Sequence, residues 1–171
     1  VNVGTEKGIS NVANVTHSVD AYVLRSMIRY CSYDKNHVRD TKAMITTELA
    51  HRANGGNQVG DMYSVELLNH YEETGIVDIR LLDFILHDNI MEFPTEVLKQ
   101  LLKDIVTMEA YEPFDVVTIH DCFGCLPTNM NHVRYWYNEI LARIAESTLT
   151  QWIFRQLFEN PKLTFNKDCE D

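Results

Sequence analysis

The stretch Val116–Gly124 reads Val-Val-Thr-Ile-His-Asp-Cys-Phe-Gly, four apolar or β-branched residues that lead to one carboxylate. Such a run predicts a buried strand. Gly124, followed by Cys125-Leu126-Pro127, predicts a turn and a returning edge strand that the proline ends. We therefore expect a β-hairpin with Asp121 at its bend. A carboxylate on a rigid element that faces open space suits a site holding Mg2+ against a phosphate, although a solvated turn aspartate is the common alternative.

A second motif lies upstream. The stretch Asn14–Arg25 reads Asn-Val-Thr-His-Ser-Val-Asp-Ala-Tyr-Val-Leu-Arg. Ser18 is placed to cap a helix. The apolar residues that follow it have helical spacing: Ala21, Leu24, Ile28 and Cys31. An HSxDxxxLR helix start followed later by a strand and HDCFG hairpin resembles the C-terminal palm of the single-subunit RNA polymerases, the bacteriophage and mitochondrial type.

This resemblance implies roles for individual residues. The hairpin aspartate of that family is one of two aspartates that hold the catalytic magnesium ions, and it matches Asp121. The family's counterpart of His17 lies near the minor groove of the template–RNA pair, and His120 is expected to support the hairpin and the RNA end. The remaining motif positions are matched by Ser18, Asp20, Arg25, Cys122, Phe123 and Gly124, with Asp20 and Arg25 expected to hold the helix in place.

The DNA polymerases with the same right-hand fold are the nearest alternative within this resemblance. They carry HDE in the hairpin and a glutamine-containing segment where this chain has His17-Ser18. Cys122 after Asp121, together with that segment, therefore favours RNA synthesis. The implied activity is template-directed nucleotidyl transfer by two Mg2+ ions, with a DNA template, NTPs and an RNA product as partners.

A complete enzyme of this type needs a second aspartate, which we do not identify in the 171 residues. We expect the chain to be a portion or subunit that needs a further polymerase segment for activity. It has no apolar run near 18 residues and no signal peptide, so we expect an intracellular protein without a membrane span, in a host cytoplasm or virion, or in a mitochondrion.

The acidity is concentrated in the middle of the chain. Of the net charge of -10, residues 34–112 carry 15 acids and 7 bases. His17 and His120 are also 103 positions apart, far more than in phage enzymes. We therefore divide the chain into a palm or fingers helix (1–33), an acidic, mainly helical insertion that forms a surface subdomain (34–113), and a catalytic hairpin with C-terminal helices (114–171). The predicted class is α/β, more closely α+β, mostly helical, in a palm arrangement.

Local patterns predict the elements of the insertion and of the C-terminal part. Three helices are expected in the insertion, over 41–53, 62–73 and 94–108, whereas 76–90 fits strand or helix. Residues 129–160 form the longest helical region, with a break near Ser147-Thr148 and burial continuing at Leu149, Trp152, Ile153 and Leu157. Trp136 and Trp152, at helical spacing, are expected in the core and not in a base-stacking platform.

Three other function classes remain open. Cys122 and Cys125 form a CxxC pair that could be a redox or zinc motif, but the pair follows a strand and does not open a helix. His17, His120 and Asp121 could belong to a hydrolase, but no nucleophile elbow accompanies them. A non-catalytic subunit or interaction module that keeps the palm scaffold is the chief alternative.

Overall fold

The computed structural model describes residues 6–58, 65–119 and 122–165, with side chains from residue 13 onward. Its helices are α1 (Glu6–Cys31), α2 (Lys35–Ala53), α3 (Glu66–Thr74), α4 (Thr95–Met108), α5 (Met130–Glu146) and α6 (Leu149–Leu157). Three short 3-10 helices span Ile79–Phe84, Ile90–Glu92 and Pro127–Asn129, and two antiparallel strands are β1 (Val117–Ile119) and β2 (Cys122–Gly124). The described residues therefore form a mostly helical α+β fold, as the sequence predicts. None of these helices is long and apolar enough to cross a membrane.

Several helix ends follow from local chemistry. The Asp34 side chain accepts hydrogen bonds from the backbone N–H groups of Asn36 and His37, at 2.7 and 3.0 Å, and so caps α2. Gly75 ends α3 in the left-handed conformation, with φ of 75°. The predicted ends at residues 53 and 108 and the break between α5 and α6 are confirmed. The ambiguous stretch 76–90 forms 3-10 helix and loop.

Ser18 does not cap a helix. It lies inside α1, which is already helical at Glu6, and its Oγ donates to the Asn14 carbonyl oxygen at 2.8 Å. The apolar stripe also differs from the predicted one, since Ile28 is 36% exposed whereas Met27 is fully buried. The prediction was wrong because residues 6–17 continue the helix without a strong local signal.

The described residues share one hydrophobic core, formed mainly by α1, α2, α4, α5 and the stretch 77–93 between α3 and α4. Most of its buried members come from the acidic segment: Val38, Ile45, Val65, Leu68, Val77, Ile79, Leu81, Leu82, Ile85, Ile90, Phe93, Val97, Leu98, Leu101, Ile105 and Met108. The segment 34–113 is mainly helical, as predicted. The expectation that it projects as a surface subdomain is wrong, because it packs against α1 and α5. The interpretation of residues 34–113 as an insertion stays a prediction.

A buried ionic network joins three helices. Arg143 of α5 donates through Nη1 and Nη2 to the two carboxylate oxygens of Asp104 on α4, at 2.8 and 2.7 Å. The Tyr30 hydroxyl of α1 donates to the same carboxylate at 2.9 Å. Burial opposes the charge on Arg143, but its hydrogen bonds to Asp104 raise its pKa on balance. Trp136, fully buried as predicted, stacks on Tyr30 with ring centroids 3.8 Å apart.

Removing Asp104 should strongly destabilise the fold. Asp104→Ala removes the bidentate partner of the Arg143 guanidinium, which keeps only Glu139 as an acidic partner among the described residues. Loss of one partner from a fully buried pair costs about 3 to 5 kcal/mol, and this is the upper limit of the expected effect. Urea unfolding followed by circular dichroism measures the loss, with the exposed Asp88→Ala as the matched control. A similar unfolding midpoint for both variants would show that the network does not stabilise the fold.

Candidate functional site

The hairpin predicted around Asp121 is present as two paired strands. Val117 pairs with Gly124, Thr118 with Phe123, and Ile119 with Cys122. His120 and Asp121 connect these strands and lie outside the described residues. The strands are therefore confirmed, whereas the placement and roles of His120 and Asp121 stay predictions.

The first strand is not buried as the sequence predicts. Val117 and Ile119 are 61% and 66% exposed, on the outer face of the hairpin, whereas Thr118 and Phe123 face the protein and are half-buried. Alternate side chains of a strand point to opposite faces. A two-stranded sheet that packs on helices through one face therefore leaves every second residue exposed.

Three contacts position the hairpin on the helices. The Phe114 backbone N–H donates to the Cys31 carbonyl oxygen at 2.9 Å, and the Ser32 hydroxyl donates to Asp115 at 3.2 Å. These bonds hold the approach to β1 at the end of α1. In β2, the Phe123 ring lies 5.8 Å from the Tyr137 ring of α5, centroid to centroid. The hairpin is thus attached to both α1 and α5.

Phe123 and Tyr137 form one side of a groove whose other side is α1. We call this the motif groove: a cavity of about 450 Å³ lined by His17, Val19, Asp20, Ala21, Val23, Leu24, Phe123, Tyr137 and Leu141. His17 and Asp20 are exposed. The structure therefore brings the HSxD segment and the hairpin strand together, although they are about a hundred residues apart in the sequence.

Two other motif residues lie outside the motif groove. Ser18 and Arg25 line a different cavity, on the neighbouring face of α1. Neither the Asp20 nor the Arg25 side chain makes a hydrogen bond or ion pair with another described residue. No contact in the described part of the chain supports the expectation that Asp20 and Arg25 hold the helix in place. That expectation stays a prediction.

Tyr137 and Leu141 are groove residues that the sequence did not indicate. Leu141 is 38% exposed and lines the groove. The face that Tyr137 presents depends on how α5 packs on the hairpin. In the sequence, Tyr137 directly follows the core residue Trp136. Helical spacing therefore places Tyr137 beside the buried face of α5, but does not show that it contacts the hairpin.

The cysteines give little support to thiol or zinc chemistry. Burial raises the pKa of the Cys31 thiol to about 12, with a smaller contribution from Cys125 nearby, and burial also raises the pKa of Cys125. Both thiols are therefore protonated at neutral pH, whereas the thiolate is the nucleophile and metal ligand. The described residues contain no group of three or more His, Cys, Asp or Glu side chains that could hold a metal ion.

We expect that Cys122 and Cys125 bind no zinc and form no redox-active pair. The double variant Cys122→Ser and Cys125→Ser should fold, and the unchanged chain should carry no stoichiometric zinc and form no reversible disulfide. Elemental analysis by mass spectrometry and thiol titration test both points. Zinc bound to the unchanged chain but lost from the double variant would overturn this interpretation.

The comparisons with known proteins do not test the resemblance, which stays a prediction. No protein-family model matches this sequence, and no curated protein matches it.

The motif groove has few possible magnesium ligands. Asp20 supplies the one carboxylate among the described residues that line it. One carboxylate does not make a magnesium site, because Mg2+ relies on several oxygen ligands. Magnesium binding at Asp121 therefore stays a prediction.

Proposed function

We propose that this chain is the palm portion of a DNA-directed RNA polymerase of the single-subunit type, which catalyses template-directed nucleotidyl transfer. The observation that supports this best is the motif groove. A polymerase palm needs both motifs at one active site, and here His17 of the HSxD segment and Phe123 of the hairpin line the same cavity.

In this proposal Asp121 binds magnesium together with an aspartate from a further segment or subunit. The bound ions would lower the pKa of the RNA 3'-hydroxyl and neutralise charge on the NTP. His17 would contact the template–RNA pair from the minor groove, where acceptor atoms are common to all base pairs and report pairing geometry. His120 would support the hairpin and the RNA end.

The charge of the groove fits this role for His17. Its described lining contains one acid and no lysine or arginine, and is otherwise mainly apolar. Phosphate binding is driven by lysine and arginine. The groove therefore suits contact with base edges and sugars, and we propose that the remaining polymerase segment supplies the cationic contacts with the nucleic-acid backbone.

Extension of an RNA primer on a DNA template tests the proposal. The assay uses this chain together with the polypeptide that supplies the second aspartate. His17→Ala should slow NTP addition about tenfold, which is the effect of losing one hydrogen bond of roughly 1.4 kcal/mol. His87→Ala is the matched control, because His87 is exposed and lies outside the motif groove. Equal rates of NTP addition for the two variants would show that His17 has no role at the active site.

One observation favours a second candidate, a non-catalytic interaction module. Val117, Ile119 and Leu126 leave an apolar surface exposed around the hairpin, at 61%, 66% and 71% exposure. Exposed apolar patches often mark protein contacts. Two results together would support this candidate over the catalytic one. The chain would form a stable complex with the polymerase partner that adds no NTP, and the Ile119→Asp variant would not form that complex.

A further inference from the structure

A second cavity lies on the neighbouring face of α1, between α1, α3 and α6. We call it the arginine pocket. It has a volume of about 350 Å³, and the residues used below are Tyr22, Arg25, His70, Arg80, Leu149 and Trp152. Its volume is within the usual range of small-ligand sites, about 300 to 1,000 Å³. Apart from Val19, its lining is distinct from that of the motif groove.

One guanidinium of the pocket is held by a buried carboxylate. Arg80 donates through Nε and Nη2 to Asp78, at 2.9 and 2.6 Å, and Asp78 is only 2% exposed. These hydrogen bonds raise the pKa of Arg80. They orient the guanidinium and do not use its Nη1 group. Because Arg binds planar oxyanions through several N–H groups at once, a preset orientation favours recognition of an anion.

A second arginine lines the same pocket. The Arg25 side chain is exposed and makes no hydrogen bond or ion pair with another described residue. Asp78, the acid that lines the pocket, is already bonded to Arg80. The described lining of this pocket therefore carries two guanidinium groups and one carboxylate, a net charge of +1, in a chain of net charge -10.

The other wall of the pocket is aromatic, with the Glu73 carboxylate bonded to its edge. The Trp152 Nε1–H donates to the Glu73 carboxylate, and the Trp152 ring meets His70 nearly perpendicularly, with centroids 5.0 Å apart. Burial lowers the pKa of His70, and burial raises the pKa of Tyr22 to about 12. Aromatic rings held in this way offer a flat apolar surface to a ligand ring.

We propose that the arginine pocket binds a small aromatic phosphomonoester of the size of a nucleoside monophosphate. The phosphate, close to a dianion at neutral pH, meets the guanidinium groups of Arg25 and Arg80. The aromatic base lies against Trp152 and Leu149. This proposal does not depend on polymerase activity, because none of these contacts involves the hairpin.

Equilibrium dialysis of the full chain with labelled AMP tests the proposal. We expect saturable binding that weakens at least tenfold in Arg25→Gln, since a charge-assisted contact is removed. Arg134→Gln is the matched control: Arg134 is also an exposed arginine, but it lies on α5 outside the pocket. Adenosine and inorganic phosphate, each carrying half of the proposed ligand, should each bind at least tenfold more weakly than AMP. Trp152→Phe should remove any AMP-dependent change in tryptophan fluorescence, because Trp136 is fully buried.

Four results would overturn the proposal. AMP could fail to bind, or it could bind equally to the Arg25→Gln and Arg134→Gln variants. If inorganic phosphate bound as tightly as AMP, the pocket would be a simple anion site. If adenosine bound as tightly as AMP, the arginines would have no role in binding. Circular dichroism confirms that each variant is folded, which is expected because both arginines are exposed.

Discussion

Replacing residues 34–113 with a short Gly/Ser linker should abolish cooperative folding. The segment contributes α2, α3 and α4 to the shared core, and α4 alone buries Val97, Leu98, Leu101, Ile105 and Met108. Each such side chain contributes about 1.5 to 3 kcal/mol on burial, whereas a domain is stable by only about 5 to 15 kcal/mol in total. The deletion also leaves Arg143 without Asp104. Far-UV circular dichroism and urea unfolding are the measurements.

A second variant tests the effect of lost acidity without lost core. The triple variant Asp40→Asn, Glu72→Gln and Asp88→Asn removes three negative charges of the same segment at exposed positions. It should unfold at nearly the same urea concentration as the unchanged chain. If the deletion retains a cooperative transition, the segment is a separable subdomain after all, and our description of the core is wrong.

The packing of this segment shows where sequence reasoning stops. Its helices were predictable, because Pro94 before α4 and Gly75 after α3 are local signals, and because the apolar spacing of α4 is regular. Its net charge suggested a separate surface unit. Net charge does not report burial, since an amphipathic helix such as α4 carries charge on one face and core residues on the other. The one acid of α4 that is buried, Asp104, has its partner 39 positions away on α5.

The candidate site was predictable to a similar extent. The β-branched run predicted the strand, and the motifs named His17 and Phe123, which the structure places in one groove. The exposure of Val117 and Ile119 was not predictable, because it depends on which face of the hairpin meets α5. Tyr137 was missed for the same reason. Contacts between elements distant in the sequence decide these points, and local patterns do not contain them.

Asp121→Asn should have the largest effect on activity of any single substitution considered. In the proposed mechanism the Asp121 carboxylate binds magnesium, and asparagine keeps its size while removing its charge. Charge that stabilises a transition state in a site shielded from water contributes several kcal/mol, so the rate of NTP addition should fall by about three orders of magnitude or more. Single-turnover extension of an RNA primer, with this chain and the polypeptide that supplies the second aspartate, measures the rate.

Two further measurements make this result specific to magnesium. Asp115→Asn is the matched control: Asp115 is exposed, lies six residues before Asp121, and the asparagine keeps an acceptor oxygen for Ser32. It should extend RNA at nearly the unchanged rate. The Mg2+ concentration for half-maximal rate should rise in Asp121→Asn and not in Asp115→Asn, because only the former loses a proposed ligand. Near-normal RNA synthesis by Asp121→Asn would falsify the assignment of Asp121, whereas a slow rate with unchanged magnesium dependence would assign Asp121 to positioning of the hairpin.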